Sequence, residues 1–209
     1  MDFLYSENHY SYLLDYCHSW HHRQLKSKEL QTDVFYENVN GTFVDKTAQA
    51  GLVNFGYGHS IAVSDVNNDG FPDFHKTHDY DDPDFLFMNT GKKSFKNEIN
   101  EQFKHISWSS MGNDFADFNN DGLVDLFALE MAPNDHVRSK INMKAMDPVK
   151  FNALAENEQH YQYMFNAMHL NNDGKNYLDL NHAPLKSLMR LKHHKGWVYL
   201  ILNFFPHIH

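Results

Sequence analysis

The stretch DVNNDGFPD, from Asp65 to Asp73, returns 52 residues later as DFNNDGLVD, from Asp117 to Asp125, with six of nine positions identical. A repeat at a fixed interval of about 50 residues constrains the fold strongly, because a unit of that size cannot bury its apolar face alone and must stack on its neighbours. The segments around the loops repeat as well. DVFYEN (Asp33 to Asn38) and DFLFMN (Asp84 to Asn89) start 51 residues apart, alternate with a period of two, and each end at an asparagine before a glycine turn, in NVNGTF and NTGKKSF. That pattern reads as strand, tight turn and returning strand. A third such hairpin follows MFNAMHL, with its turn in NNDGKNY from Asn171 to Tyr177. The β-like run SIAVSDV enters the first loop and LVDLFALEM leaves the second. The unit is therefore four short strands in about 50 residues with an acidic loop between two of them, the signature of a β-propeller blade.

The turn glycines locate an interruption. Gly41 and Gly91 lie 50 residues apart, but Gly91 and Gly174 lie 83 apart, so the second unit carries an insertion of 33 residues that Pro133 to Phe165 supplies. Within it, DPVKFNALAENEQ offers Asp147 as N-cap and Pro148 as first helical residue, which predicts a partly helical excursion. The expected organisation is a repeat region over 32–177, with its insertion at about 133–165, between flanks 1–31 and 178–209 that show no clear period. The flanks are rich in histidine: His18, His21, His22, His193, His194, His207 and His209. Two good units and part of a third are too few to close a propeller of usual size. The expectation is an all-β fold of β-propeller blades in an incomplete propeller, a fragment whose open blade edges favour self-association.

The loops have their own chemistry. Positions 1, 3, 5 and 9 are Asp65, Asn67, Asp69 and Asp73 in the first and Asp117, Asn119, Asp121 and Asp125 in the second. Gly70 and Gly122 at position 6 permit a left-handed reversal, after which the carbonyls of Phe71 and Leu123 at position 7 can turn inward. Five protein oxygens suit Ca2+, which takes 6–8 oxygen ligands at about 2.3–2.6 Å. With no thiolate or imidazole in the loop, zinc and copper are disfavoured. An EF-hand needs a glutamate at position 12 and flanking helices; position 12 is Lys76 or Ala128, and the flanks are β-like. The plainer reading is a polar strand connector, since Asp, Asn and Gly favour turns without any metal. Three carboxylates would then crowd together and repel, so two copies at matched spacing favour calcium. The third NNDG, framed as a loop, starts at His169 and ends at Tyr177; it reads as a hairpin turn and not a metal site.

At this point a resemblance is visible. The loops, with GTFVDKTAQAGL, GYGHSIAVSDVNNDGFPD, DFLFMN, SSMGNDFADFNNDGLVDL and HYQYMFNAMHLNNDG, resemble the FG-GAP/VCBS repeats of integrin-α-type propellers. They are most similar to bacterial VCBS-repeat proteins related to the CRTAC/ASPIC-UnbV group. The likeness spans about residues 32–177. It implies a β-propeller, calcium in the blade loops, an extracellular or cell-surface location, and binding or adhesion toward a cell-surface protein or glycan. It stops before Gln31 and after Tyr177, as expected of a truncated or frame-shifted reading of a longer protein.

Other classes fit less well. A formal charge of −9 argues against a nucleic-acid partner. One cysteine, Cys17, excludes an internal disulfide framework. No run reaches the ~20 apolar residues of a membrane span, and MDFLYSENHY at the N-terminus does not read as a secretion signal. HDYDDPD, from His78 to Asp84, sets four aspartates beside a histidine; it is read as a solvated loop at a blade edge and not as an acid–base site. The aromatics of HYQYMF are assigned to packing, and the histidine pairs His21–His22 and His193–His194 are read as exposed. No Gly-rich phosphate loop and no GxSxG occurs. No catalytic residue is assigned, and the chain is expected to be a binding module and not an enzyme. The alternative is an accessory or truncated part of a polysaccharide-processing propeller enzyme, which would need convergent acids or bases outside the calcium loops.

Overall fold

A computed structural model describes residues 2–6, 9–14, 33–79, 82–132, 137, 151–152, 160–174 and 176–179. These form an all-β fold dominated by three four-stranded antiparallel sheets. The first contains β1 (Asp2–Ser6), β2 (His9–Leu14), β3 (Val34–Val39) and β4 (Thr42–Asp45) in that order. The second contains β5 (Tyr57–Ser64), β6 (Asp73–Asp79), β7 (Phe85–Asn89) and β8 (Phe95–Asn97). One helical turn, α1 (Ile99–Gln102), and the short strand β9 (Ile106–Ser107) lead into the third. That sheet orders β10 (Ser110–Ala116), β11 (Asp125–Glu130), β13 (Ala167–Asn171) and β14 (Tyr177–Asp179). The strand β12 (Gln162–Tyr163) pairs in parallel with β9 outside these sheets. Among the described residues no sheet closes on itself.

The first sheet draws on the N-terminal flank. The sequence pattern sets residues 1–31 apart, yet β2 pairs with β3 from Leu14↔Val34 to Ser11↔Glu37, and β1 pairs with β2. Strand pairing is a backbone property, so a segment without the acidic loop can complete a four-stranded sheet without displaying the repeat. Strand β13 pairs with β11 and continues the third sheet. The predicted helix start at Asp147 and Pro148, and the histidine pairs of both flanks, lie outside the described residues.

Two apolar cores join the three sheets. Phe35, Leu52, Phe74 and Phe87 pack between the first and second, with Phe95 against them. Aromatic rings carry this layer: Phe74 lies 5.0 Å from Phe87 and 5.2 Å from Phe95 between centroids. Val66, Leu86, Met88, Ile99, Phe103, Ile106, Leu126 and Tyr177 fill the layer between second and third. Strand β7 serves both, Phe87 facing one core and Leu86 and Met88 the other. A strand buried on both faces reads as a continuous apolar run instead of alternating, which is why the sequence there is FLFM. Lys76 on β6, itself buried, pairs with Asp33 just before β3 and ties the first two sheets together. The outer strands β4, β8 and β14 are only 4, 3 and 3 residues long, and short edges limit unwanted pairing. No helix among the described residues is long and apolar enough to cross a membrane.

Candidate metal centres

The two acidic loops connect β5 to β6 and β10 to β11, each joining the first and second strands of its sheet. Their hydrogen bonds match one for one. At position 1, Asp65 accepts the N–H groups of Asp69 at 3.0 Å and Gly70 at 2.8 Å; Asp117 accepts those of Asp121 at 3.1 Å and Gly122 at 3.0 Å. At position 3, the side-chain oxygens of Asn67 and Asn119 accept the same position-5 N–H at 3.1 and 3.0 Å. At position 5, Asp69 accepts from the Phe71 N–H and Asp121 from that of Leu123, at 2.9 and 2.8 Å. The backbone is left-handed at Asn68 (φ 57°) and Gly70 (φ 87°), and again at Asn120 (φ 62°) and Gly122 (φ 89°). The side-chain oxygens thus order the loop by capping its successive N–H groups, as short polar side chains do in turns.

Position 9 differs because it is the first residue of the following strand. Asp73 and Asp125 are fully buried. Each spans two segments, accepting the position-2 N–H (Val66 at 3.0 Å, Phe118 at 2.9 Å) and the N–H of an asparagine on the third strand (Asn89 at 2.7 Å, Asn171 at 2.8 Å). Burial pushes Asp73 up to about 6, against its two backbone hydrogen bonds and with help from the charges of Asp69 and Asp65. Asp125 is raised for the same reasons. A nearby cation would relieve that penalty.

The donor set fits a hard cation, since the candidate ligands Asp65, Asn67, Asp69, Asp73 and the Phe71 carbonyl are all oxygens, as are Asp117, Asn119, Asp121, Asp125 and the Leu123 carbonyl. Among the described residues no group of three or more His, Cys, Asp or Glu side chains is drawn together as a metal cluster; the candidate set in each loop also counts an amide oxygen and a main-chain carbonyl.

The reading of His78 to Asp84 as a solvated loop is corrected. His78, Asp79 and Asp84 are buried, because β6 extends through Asp79 into the interior. Asp84 accepts the His78 N–H at 2.8 Å and the Ser110 hydroxyl at 2.7 Å, and lies 3.7 Å from Nε2 of His75. Burial pushes Asp84 up to about 7 and His75 down to about 3. Asn113 on β10 reaches Nδ1 of His75 at 2.7 Å, so this group braces the seam between the second and third sheets. Close by, Asp179 takes His169 at 2.6 Å and His105 at 3.2 Å, and the His169 ring stacks on Phe103 at 4.0 Å. Burial works to raise Asp179, but the hydrogen bonds from His105 and His169 hold it well below the usual carboxylate range. Sequence carried one signal of this polar seam: FHKTHD places polar residues on both faces of a strand, which a half-exposed strand would not do.

No family model matches the chain, and no curated protein matches it in sequence.

Proposed function

We propose that the chain is a calcium-binding β-propeller repeat module of FG-GAP/VCBS type, working outside the cell or at its surface to bind a protein or glycan. The observation that carries the reading is the one-for-one match of the two loops in backbone path and hydrogen bonds, each closed by a position-9 carboxylate raised by burial. Two further features agree with it: three four-stranded meanders, and cores between successive sheets. Calcium serves as a structural ion, turning crowded carboxylates into ligands and stiffening the face from which the loops project.

Calorimetric titration tests the reading. Two calcium ions per chain are expected, with one lost in Asp69→Ala and one in Asp121→Ala. Calcium modules outside the cell bind at about 10⁻⁴–10⁻³ M, and a tenfold excess over that constant stabilises by about 1.4 kcal/mol per site. Chelation should therefore lower the melting temperature, and magnesium should restore it poorly, because it demands a tighter octahedron. Unchanged stoichiometry in both variants would reduce the loops to turns.

A further inference from the structure

The third NNDG lacks the acids of a metal loop, yet it touches both loops that have them. Asn171, at the end of β13, is buried. Its main-chain N–H donates to Asp125 at 2.8 Å, and its side-chain oxygen accepts the Gly174 N–H at 2.7 Å. The side-chain amide donates to the carbonyl of Val124 in the second loop at 3.2 Å and to the carbonyl of Val66 in the first at 3.0 Å. Asn89, its counterpart in the second sheet, makes the corresponding bonds to Asp73, the Pro72 carbonyl and the Gly91 N–H. The bond from Asn171 to Val66, in the other loop, goes beyond this shared set.

Two other contacts point the same way. A Cβ placed on Gly174 would lie 3.5 Å from the carbonyl oxygen of Asn67, so the turn rests on the first loop. The Tyr177 hydroxyl donates to the Val124 carbonyl at 3.1 Å.

We propose that the hairpin from Asn171 to Tyr177 couples the two acidic loops, so that calcium in one raises the affinity of the other. Filling the second loop fixes Val124 and Asp125; these hold Asn171, and Asn171 holds Val66 at the entrance of the first. Linkage makes the effect reciprocal. The inference rests on the calcium reading for its ligand, and it assigns Asn171 as a positioning residue.

The test is a thermodynamic cycle on the full chain by calcium titration. First-loop affinity is measured with the second loop intact and with it disabled by Asp121→Ala, each with Asn171 present and in Asn171→Ala. Disabling the second loop should weaken the first by about fivefold or more with Asn171 present, and leave it unchanged in Asn171→Ala. The same ratio in both backgrounds, or a ratio of one with Asn171 present, overturns the coupling. Should Asn171→Ala not fold, Tyr177→Phe takes its place and should bring the ratio toward one. Should neither loop take calcium, the ligand reading fails separately. Coupling is then read by amide hydrogen exchange, where Asp121→Ala should speed exchange at Val66, Asp69 and Gly70 and an unchanged rate overturns it.

Discussion

The first and second acidic loops share six residues, a backbone path and a hydrogen-bond scheme, but they meet different neighbours. In the first, Val66 at position 2 is buried in the core between the second and third sheets, and Phe71 at position 7 lays its ring against Gly91. In the second, Phe118 at position 2 stands 6.4 Å from Phe127 of its own sheet. The shared residues (Asp, Asn, Asn, Asp, Gly and Asp) shape the loop. The three that vary at positions 2, 7 and 8 fit it to its surroundings. The comparison separates local instruction from tertiary context within one short motif: the first loop depends on the third sheet through Val66 and Asn171, whereas the second is held from within its own sheet.

The sharpest way to break this asymmetry is to remove the position-9 carboxylates. Asp73→Ala and Asp125→Ala each strand two backbone N–H groups at least partly shielded from water, and each unsatisfied buried group costs about 1–3 kcal/mol. Urea unfolding should show losses of about 2–4 kcal/mol for either variant. Asp125→Ala should lose more, because it also frees Asn171 and through it the entrance of the first loop. Equal losses, or the reverse order, would remove the dependence of the first loop on the third sheet.

The polar seam between the second and third sheets predicts an unusual response to acid. His75, His78 and His169 are lowered from 6.5, in each case chiefly by burial. The unfolded chain therefore binds protons below pH 6.5 that the folded chain refuses, and stability falls as pH drops from 6.5 toward 3. Asp84 has the opposite sign. Raised from 3.8 to about 7, it takes its proton in the folded state first, so its contribution grows as pH falls from 7 to about 4 and offsets part of the histidine loss. Asp84→Asn removes the offset. Urea midpoints at pH 7.5, 6 and 5 should fall more steeply in this variant than in the parent chain; parallel profiles would mean that Asp84 does not hold its proton in the seam.

Much of the architecture was legible from spacing alone. The hairpins β3–β4, β7–β8 and β13–β14 form where a strand-like run ends at Asn before a glycine, and the reason is visible at Asn38, Asn89 and Asn171. Each side-chain oxygen accepts the N–H of the turn glycine, at 2.8, 3.0 and 2.7 Å. Such short-range chemistry is written in adjacent residues. The partnership of Asp84 with Ser110 and His75 was not legible, because it joins β10 to β6 and to the residue preceding β7 across a sheet interface. A line of sequence shows four aspartates near a histidine but not which of them turn inward. The role of Asn171 was hidden for the same reason: its bond to Val66 crosses 105 positions, and nothing in NNDG distinguishes a free turn from one that rests on another loop.

The smallest expected effect sharpens the comparison from its local side. Gly70 and Gly122 have φ of 87° and 89°, and an added Cβ would meet nothing within 4 Å at either position. Substitution by alanine should therefore cost only the strain of a left-handed backbone, about 1–2 kcal/mol, and the same amount in both loops. Gly91→Ala is the control, since its Cβ would approach the Phe71 ring to 3.0 Å and should add a steric loss to the strain. Thermal unfolding of the three variants measures all of this at once. A clear gap between Gly70→Ala and Gly122→Ala would mean that tertiary neighbours reach position 6 itself. The division between loop-shaping and context-fitting residues would then have to be redrawn to include the glycine.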